Sequence, residues 1–274
     1  MLKVKVTCFA DEISHDLEEQ LDVLTQEGLA NLELRNVWGK NVLDLNEEEL
    51  QSIRSMLDQR GFTVSSIASP IGKYAVTDDF APELAAMQRA IHAAHAVGTP
   101  YIRIFSYYTK DLDLDACRDE VLSRMKQLIK LAEQANVILL LENDNNLYGS
   151  KDDRVLDILQ HCNSNSLRSA FDPGNFVMNK VKPADEAYPK LQSYLAYVHV
   201  KDATNEPHQF VPAGAGAGQL PELLLQLREA RFTGYLSVEP HLPHYLPHAS
   251  NPKRVVTAIR ALKDLLARAE MAWE

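Results

Sequence analysis

Cysteine is scarce. Cys8, Cys117 and Cys162 are the three in the chain, too scattered for a disulfide framework or a Cys-x-x-Cys metal site, and an odd count suits free thiols in a reducing compartment. Positive charge is also in short supply: 28 Lys and Arg face 38 Asp and Glu, for a net charge of -10 and a pI near 5.4. Phosphate neutralisation needs a basic face, so the composition gives no footprint for nucleic acid, although a local basic pocket is compatible with an acidic average. No apolar run approaches the roughly 20 residues of a membrane span. The opening MLKVKVTCFADEIS has no long apolar segment of the signal-peptide kind, so a soluble cytoplasmic protein without membrane or nucleic-acid partners is expected.

What the chain does have is rhythm. Its 274 residues are 46% hydrophobic, enough for a sizeable core in one domain covering 1–274. Mostly continuous apolar runs at Val4–Phe9, Asn31–Arg35, Thr63–Ala68, Tyr101–Phe105, Val137–Glu142, Leu167–Asp172, Leu195–Val200 and Tyr235–Glu239 suit strands buried on both faces. Amphipathic segments separate them. Asn46 with Glu49 opens one helix as a capping box, Leu50, Ile53 and Leu57 share its face, and Gly61 stops it, with similar stops at Gly28 and Gly98. A last helix from Pro252 to about Met271 carries Val255, Val256, Ile259, Leu262 and Leu266 at helical spacing. Eight strand–helix units predict an α/β (β/α)8 TIM barrel. The competitor, a doubly wound open sheet, is disfavoured because CFADEIS follows the first strand in place of Gly-x-Gly-x-x-Gly, and no P-loop is present.

Glu142, Asp172, His199 and Glu239 each end an apolar run, VILLLE, SLRSAFD, YLAYVH and YLSVE. Strand ends on one rim of a barrel point at a common centre, so these four are predicted to converge on one divalent ion. Three carboxylates and one His form a hard donor set, suited to Mn²⁺ or Mg²⁺ and tolerant of Co²⁺ or Zn²⁺. A metal there would hold two neighbouring oxygens of a hydroxy-ketone and stabilise an enediolate, with Glu142 and Glu239 exchanging protons on opposite faces. Lys201 is a candidate for oxyanion stabilisation or proton donation, with a rim salt bridge as its other reading. Arg35 and Arg103 near strand ends could form a fork for a substrate phosphate or carboxylate, with Glu33 beside them as a further substrate contact or as the partner of an arginine in an internal ion pair. His241 is expected to orient a ligand or touch substrate. Tyr74, Tyr107 and Tyr108 read as aromatic walls or as loop packing, and AGAGAG at 213–218 as a flexible loop or a backbone N–H cradle for an anion.

Taken together, FADEIS, LELR, LENDN, FDPGNF, YVHVKDA, the Gly-rich loop and LSVEPHL resemble the xylose-isomerase-like TIM barrels, the sugar phosphate isomerase/epimerase group that also includes ketose 3-epimerases, inosose and dehydroshikimate dehydratases and an AP endonuclease branch. The resemblance spans nearly the whole chain. It implies a metal-dependent isomerase or epimerase of a small keto sugar or sugar phosphate, with Glu142, Asp172, His199 and Glu239 as ligands and the two glutamates as acid/base residues. A dehydratase of a cyclic keto-polyol is the alternative, and a barrel that binds a metal-chelated carbohydrate without turnover is another. The endonuclease branch would require more rim histidines and a basic groove. Asn175 and Asn205 stand where ketose 3-epimerases carry a His and an Arg, which argues against a free-ketose 3-epimerase and leaves Asn175 as a substrate contact. Ala215 and Ala217 replace acidic residues of the relatives' glycine loop. Barrels of this sort often form homodimers.

Overall fold

The computed structural model describes residues 3–110 and 112–274. Among the described residues, eight parallel strands follow one another around a ring: β1 (Lys3–Cys8), β2 (Asn31–Leu34), β3 (Thr63–Ala68), β4 (Tyr101–Ile104), β5 (Ile138–Glu142), β6 (Leu167–Phe171), β7 (Leu195–Val200) and β8 (Tyr235–Val238). Each pairs with its chain neighbour, and β8 returns to β1. The last gap, between β1 and β2, closes at a bridge from Phe9 to Glu33. This sequential order excludes the open, doubly wound alternative. The observed strands match the apolar runs to within a residue at either end.

At its other end the β1–β2 seam is filled by a short tail strand, β9 (Ala272–Trp273), which pairs with Lys3 and Val4. Alternation along β1 explains how: the amides of Lys5 and Phe9 donate toward β8, whereas Val6 donates to the Glu274 carbonyl on the opposite edge.

Helices α1 (Leu17–Gln26), α2 (Glu47–Arg60), α3 (Ala81–Val97), α4 (Leu114–Ala135) and α5 (Asp152–Cys162) follow the first five strands. After β6 comes the short α6 (Pro173–Met178), then broken helical turns over 183–194, and finally α7 (Leu220–Glu229) and α8 (Asn251–Arg268). In α2, Asn46 and Glu49 form the expected reciprocal capping box, and Gly61 ends the helix in the left-handed conformation. The buried faces, such as Leu50, Ile53 and Leu57, pack in the layer between helices and strands. Each such side chain contributes roughly 1.5–3 kcal/mol on burial. Among the described residues, no helix is long and apolar enough to cross a membrane.

A separate, smaller core of Leu140, Ala170 and Tyr197, packed against Tyr101 and Tyr235, fills the barrel lumen. Next to it lies a buried polar layer. Thr7 Oγ1 and Ser65 Oγ are 2.9 Å apart, Ser65 Oγ and Tyr197 Oη 2.8 Å, and Tyr197 Oη and Ser237 Oγ donate to Glu33 at 2.9 and 2.6 Å. Five strands, β1, β2, β3, β7 and β8, thus meet through side chains inside the ring.

Candidate metal centre

The C-terminal ends of β5 to β8 bring Glu142, Asp172, His199 and Glu239 together. One donor atom from each lies within 4.8 Å of the other three, and all four residues are buried. Local sequence sets each one. Asp172 N-caps α6, its Oδ1 accepting the Asn175 amide at 2.8 Å. Asn143 clamps the same residue from β5: its Oδ1 accepts the Asp172 amide and its Nδ2 donates to the Asp172 carbonyl, both at 2.9 Å. Gly174 is required by close approach, since a Cβ there would lie 3.0 Å from the Lys201 backbone.

His199 is oriented from behind. Its Nε2 lies 3.4 Å from Glu33, while Nδ1 faces Glu142 Oε2 at 3.3 Å. The rings of Phe9 and Tyr197 pack edge-on at 5.1 and 5.5 Å. A carboxylate on the far nitrogen is the arrangement that fixes a metal-binding imidazole. Glu33 therefore stands behind the histidine, fully buried, and does not border the cavity; it is not placed to contact substrate.

Positive groups balance the acids. Arg103 Nη1 lies 3.3 Å from Glu142 Oε2, and Lys201 Nζ lies 2.8 Å from Asp172 Oδ2 and 2.6 Å from Glu239 Oε2. Arg35 is shared among Asp11 at 2.8 Å, Glu12 at 3.3 Å and Glu239 at 3.5 Å, so both arginines are in internal ion pairs while still bordering the cavity. Burial would raise the Glu142 carboxyl, but His199 and Arg103 overcome it and hold it at about 2. Burial acts on Glu239 in the same sense, and Lys201, His241, His199 and Arg35 carry it well below the usual range. Asp172 goes the other way, to about 7, because burial and the neighbouring glutamates outweigh Lys201. His199 rises to about 10: burial opposes the charged ring, but Glu142 and Glu33 favour it more.

The donor set fits a divalent cation. Although ion pairs reach them at 2.8–3.3 Å, the buried atoms Glu142 Oε2, Asp172 Oδ2 and His199 Nδ1 make no well-aligned hydrogen bond, which leaves lone pairs that a cation between them would engage. Oxygen-rich, with one imidazole nitrogen and no thiolate, the cluster suits a hard or borderline ion.

A cavity of about 380 Å³ opens above the cluster, bordered by Glu142, Glu239, Lys201, Arg35, Arg103 and His241, with Asn175 beside them. His241 adopts a left-handed φ of 41° and sets Nδ1 between Glu12 and Glu239 at 3.2 and 3.4 Å. Asn175 Nδ2 donates to the Asn143 carbonyl at 3.0 Å and lies 3.4 Å from Glu142. Tyr74 and Tyr108 line an adjoining groove, whereas Tyr107 is fully buried loop packing. His244 and His248 are exposed. The glycine loop does form an N–H cradle, but the chain supplies its anion: Asp202 accepts from Gly214, Gly216 and Gly218 at 2.8, 3.0 and 2.8 Å.

Asn143, Lys73, Asp144, Asn145 and Phe210 also belong to this neighbourhood and were not singled out from the sequence. The signal for the first was its place in LENDN, directly after a ligand.

Solved structures with the same fold include a D-tagatose 3-epimerase-like protein (TM-score 0.80, 17% identity, covering 97% of this chain and 98% of the other). The probable 3-DHS dehydratase AsbF of Bacillus anthracis gives a TM-score of 0.76 at 16% identity, over 96% and 99%. A xylose isomerase-like TIM barrel protein from Mycobacterium smegmatis, in complex with magnesium, gives 0.71 at 16%, over 97% and 98%. At these identities the likeness concerns the fold. No curated protein matches the sequence significantly. The sequence profile described as xylose isomerase-like TIM barrel matches residues 22–265, and the chain belongs to that family.

Proposed function

We propose that this chain is a divalent-metal-dependent isomerase or epimerase of a keto sugar, working by proton transfer at the carbon beside the carbonyl. The observation that carries the reading is the pairing of two buried, ionised glutamates, Glu142 and Glu239, on one cavity with an Asp and a His whose donor atoms cluster within 4.8 Å. The epimerase-like and magnesium-bound structures of the same fold support it. Mn²⁺ and Mg²⁺ are the ions we favour.

Glu142, Asp172, His199 and Glu239 would hold a divalent cation, which when bound would supply Lewis-acid polarisation of the substrate carbonyl and lower the pKa of the neighbouring carbon acid toward the reach of a carboxylate. Glu142 and Glu239 take the proton-transfer roles, one removing and the other returning the proton. Their place on the cavity supports this choice over Asp172, whose carboxyl is nearer 7 but which does not border the cavity. Lys201 borders the cavity with its ammonium on Glu239 at 2.6 Å, placed to donate to a substrate oxygen. Arg35, Arg103, Asn175 and His241 shape the substrate side. Glu33 serves as a positioning residue through His199.

The test is solvent exchange. Protein loaded with Mn²⁺ in D₂O is expected to place deuterium on the carbon beside the carbonyl of a ketose, followed by NMR, and Glu142→Gln or Glu239→Gln is expected to slow this by roughly 10²–10⁴-fold. A lyase is favoured by one feature, the Lys201 ammonium, which is able to protonate a departing hydroxyl; growth of enone absorbance in the ultraviolet would identify it. Metal uptake without exchange or enone formation across a broad ketose panel would leave a binding protein and refute the proposal.

A further inference from the structure

Beside the cavity of about 380 Å³ lies a groove of about 740 Å³. The two adjoin along the same pair of loops, with Lys73 lining both. Pro70 and Lys73 border the cavity and Lys73, Tyr74 and Ala75 the groove; Asp144 and Asn145 border the cavity and Asn146 and Leu147 the groove. Lys73 faces both. Its ammonium pairs with Asp144 at 2.8 Å and sits 4.2 Å from the centre of the Phe105 ring, on the border between the two spaces. Asn179 Nδ2 donates to Asn145 Oδ1 at 2.7 Å across the same border. The far wall is pre-formed, because Tyr108 donates its amide to the Tyr74 carbonyl and receives that of Val76, both at 2.9 Å.

Resting on the reaction proposed above, we infer that the substrate is a ketose carrying a second sugar ring, with the keto ring in the cavity and the second ring in the groove. Both volumes fall within the roughly 300–1,000 Å³ of small-ligand sites, and the cavity alone is near the lower end, room for one ring. Two tyrosines together with Thr109, Asn146, Ser150 and Asn179 line the groove. Apolar faces among neutral hydrogen-bonding groups suit a polyhydroxylated ring. A phosphate finds less: Lys73 is already neutralised by Asp144, and Lys110 shares the groove with Asp78.

The experiment compares solvent-deuterium exchange by the Mn²⁺-loaded protein on D-fructose, D-fructose 6-phosphate and glucosyl-fructoses linked through O3, O4, O5 and O6, with calorimetric Kd values for the same compounds. At least one glucosyl-fructose is expected to exceed fructose roughly tenfold in kcat/KM and in affinity. Ser150→Trp, which fills the groove, and Tyr74→Ala, which removes a wall, are each expected to erase that advantage while fructose changes less than about twofold. Equal or faster reaction of fructose or fructose 6-phosphate, or variants that move every compound alike, would overturn the inference and leave the reaction standing. Exchange in none of them would overturn both.

Discussion

Removing the Asp202 carboxylate should loosen the glycine loop by an amount the structure lets us work out. The side chain is 1% exposed and accepts four backbone amides: Ala203 and Gly218 on Oδ1, both at 2.8 Å, and Gly214 and Gly216 on Oδ2 at 2.8 and 3.0 Å. A hydrogen bond to a charged group contributes roughly 1.5–3 kcal/mol. Gly214 and Gly216 sit in an exposed stretch, so in Asp202→Ala their amides regain water and much of that is returned, whereas the Ala203 and Gly218 amides are buried and keep the loss. The net expectation is about 3 kcal/mol of destabilisation for Asp202→Ala, and about half for Asp202→Asn, which keeps one acceptor oxygen but turns an N–H₂ toward donors. Equilibrium urea unfolding measures the difference, and hydrogen exchange at the amides of Gly216 and Gly218 localises it. The glycines themselves report on the same contact, since a Cβ on Gly216 would lie 2.4 Å from Asp202 Oδ1. A stability for Asp202→Ala within about 0.5 kcal/mol of wild type, with the loop amides still protected, would refute the reasoning.

Two further outcomes are expected. Glu33→Ala strips His199 Nε2, Tyr197 Oη and Ser237 Oγ of their shared acceptor, and Mn²⁺ affinity by calorimetry should fall roughly 10–100-fold, with partial rescue in Glu33→Gln; unchanged affinity in a folded Glu33→Ala protein would remove its positioning role. Burial raises the Glu83 carboxyl to about 7, against a Gly72 amide that bonds to it at 2.8 Å. A folded value above the unfolded one means the native state binds the extra proton, so stability falls as pH rises from about 4.5 to about 7, by about 3 kcal/mol in all. Glu83→Gln should flatten urea midpoints across that window, and an unaltered slope would count against the assignment.

Strand ends and helix caps were legible in the sequence because their chemistry is local. An apolar run ended by Glu, Asp or His needs no distant partner to be read, and neither does Asn46 with Glu49. Glu33 was harder. It reads as a rim residue, but the pairing of β2 with β3 shifts register between Leu32 and Glu33, and its carboxylate lies among Tyr197, His199 and Ser237 in the lumen; a bulge leaves no mark in a hydrophobic pattern. Arg35 and Arg103 show the same limit, since their partners Asp11, Glu12, Glu142 and Glu239 are set by the ring. The glycine loop announces a cradle, yet that its anion is Asp202 follows from the hairpin of Asp202–Thr204 with Gln209–Val211.

The polar layer joining Thr7, Glu33, Ser65, Tyr197 and Ser237 makes scaffold and reactivity inseparable at one point. The imidazole's tilt is inherited from staves on opposite sides of the ring, while the groove residues Tyr74, Tyr108 and Asn146 hang on loops outside it. Selection, or a protein engineer, is thus free to rewrite those loops without retuning the acidic cluster around His199, whereas an interior change meant to alter that cluster will be felt first as a weakened wall.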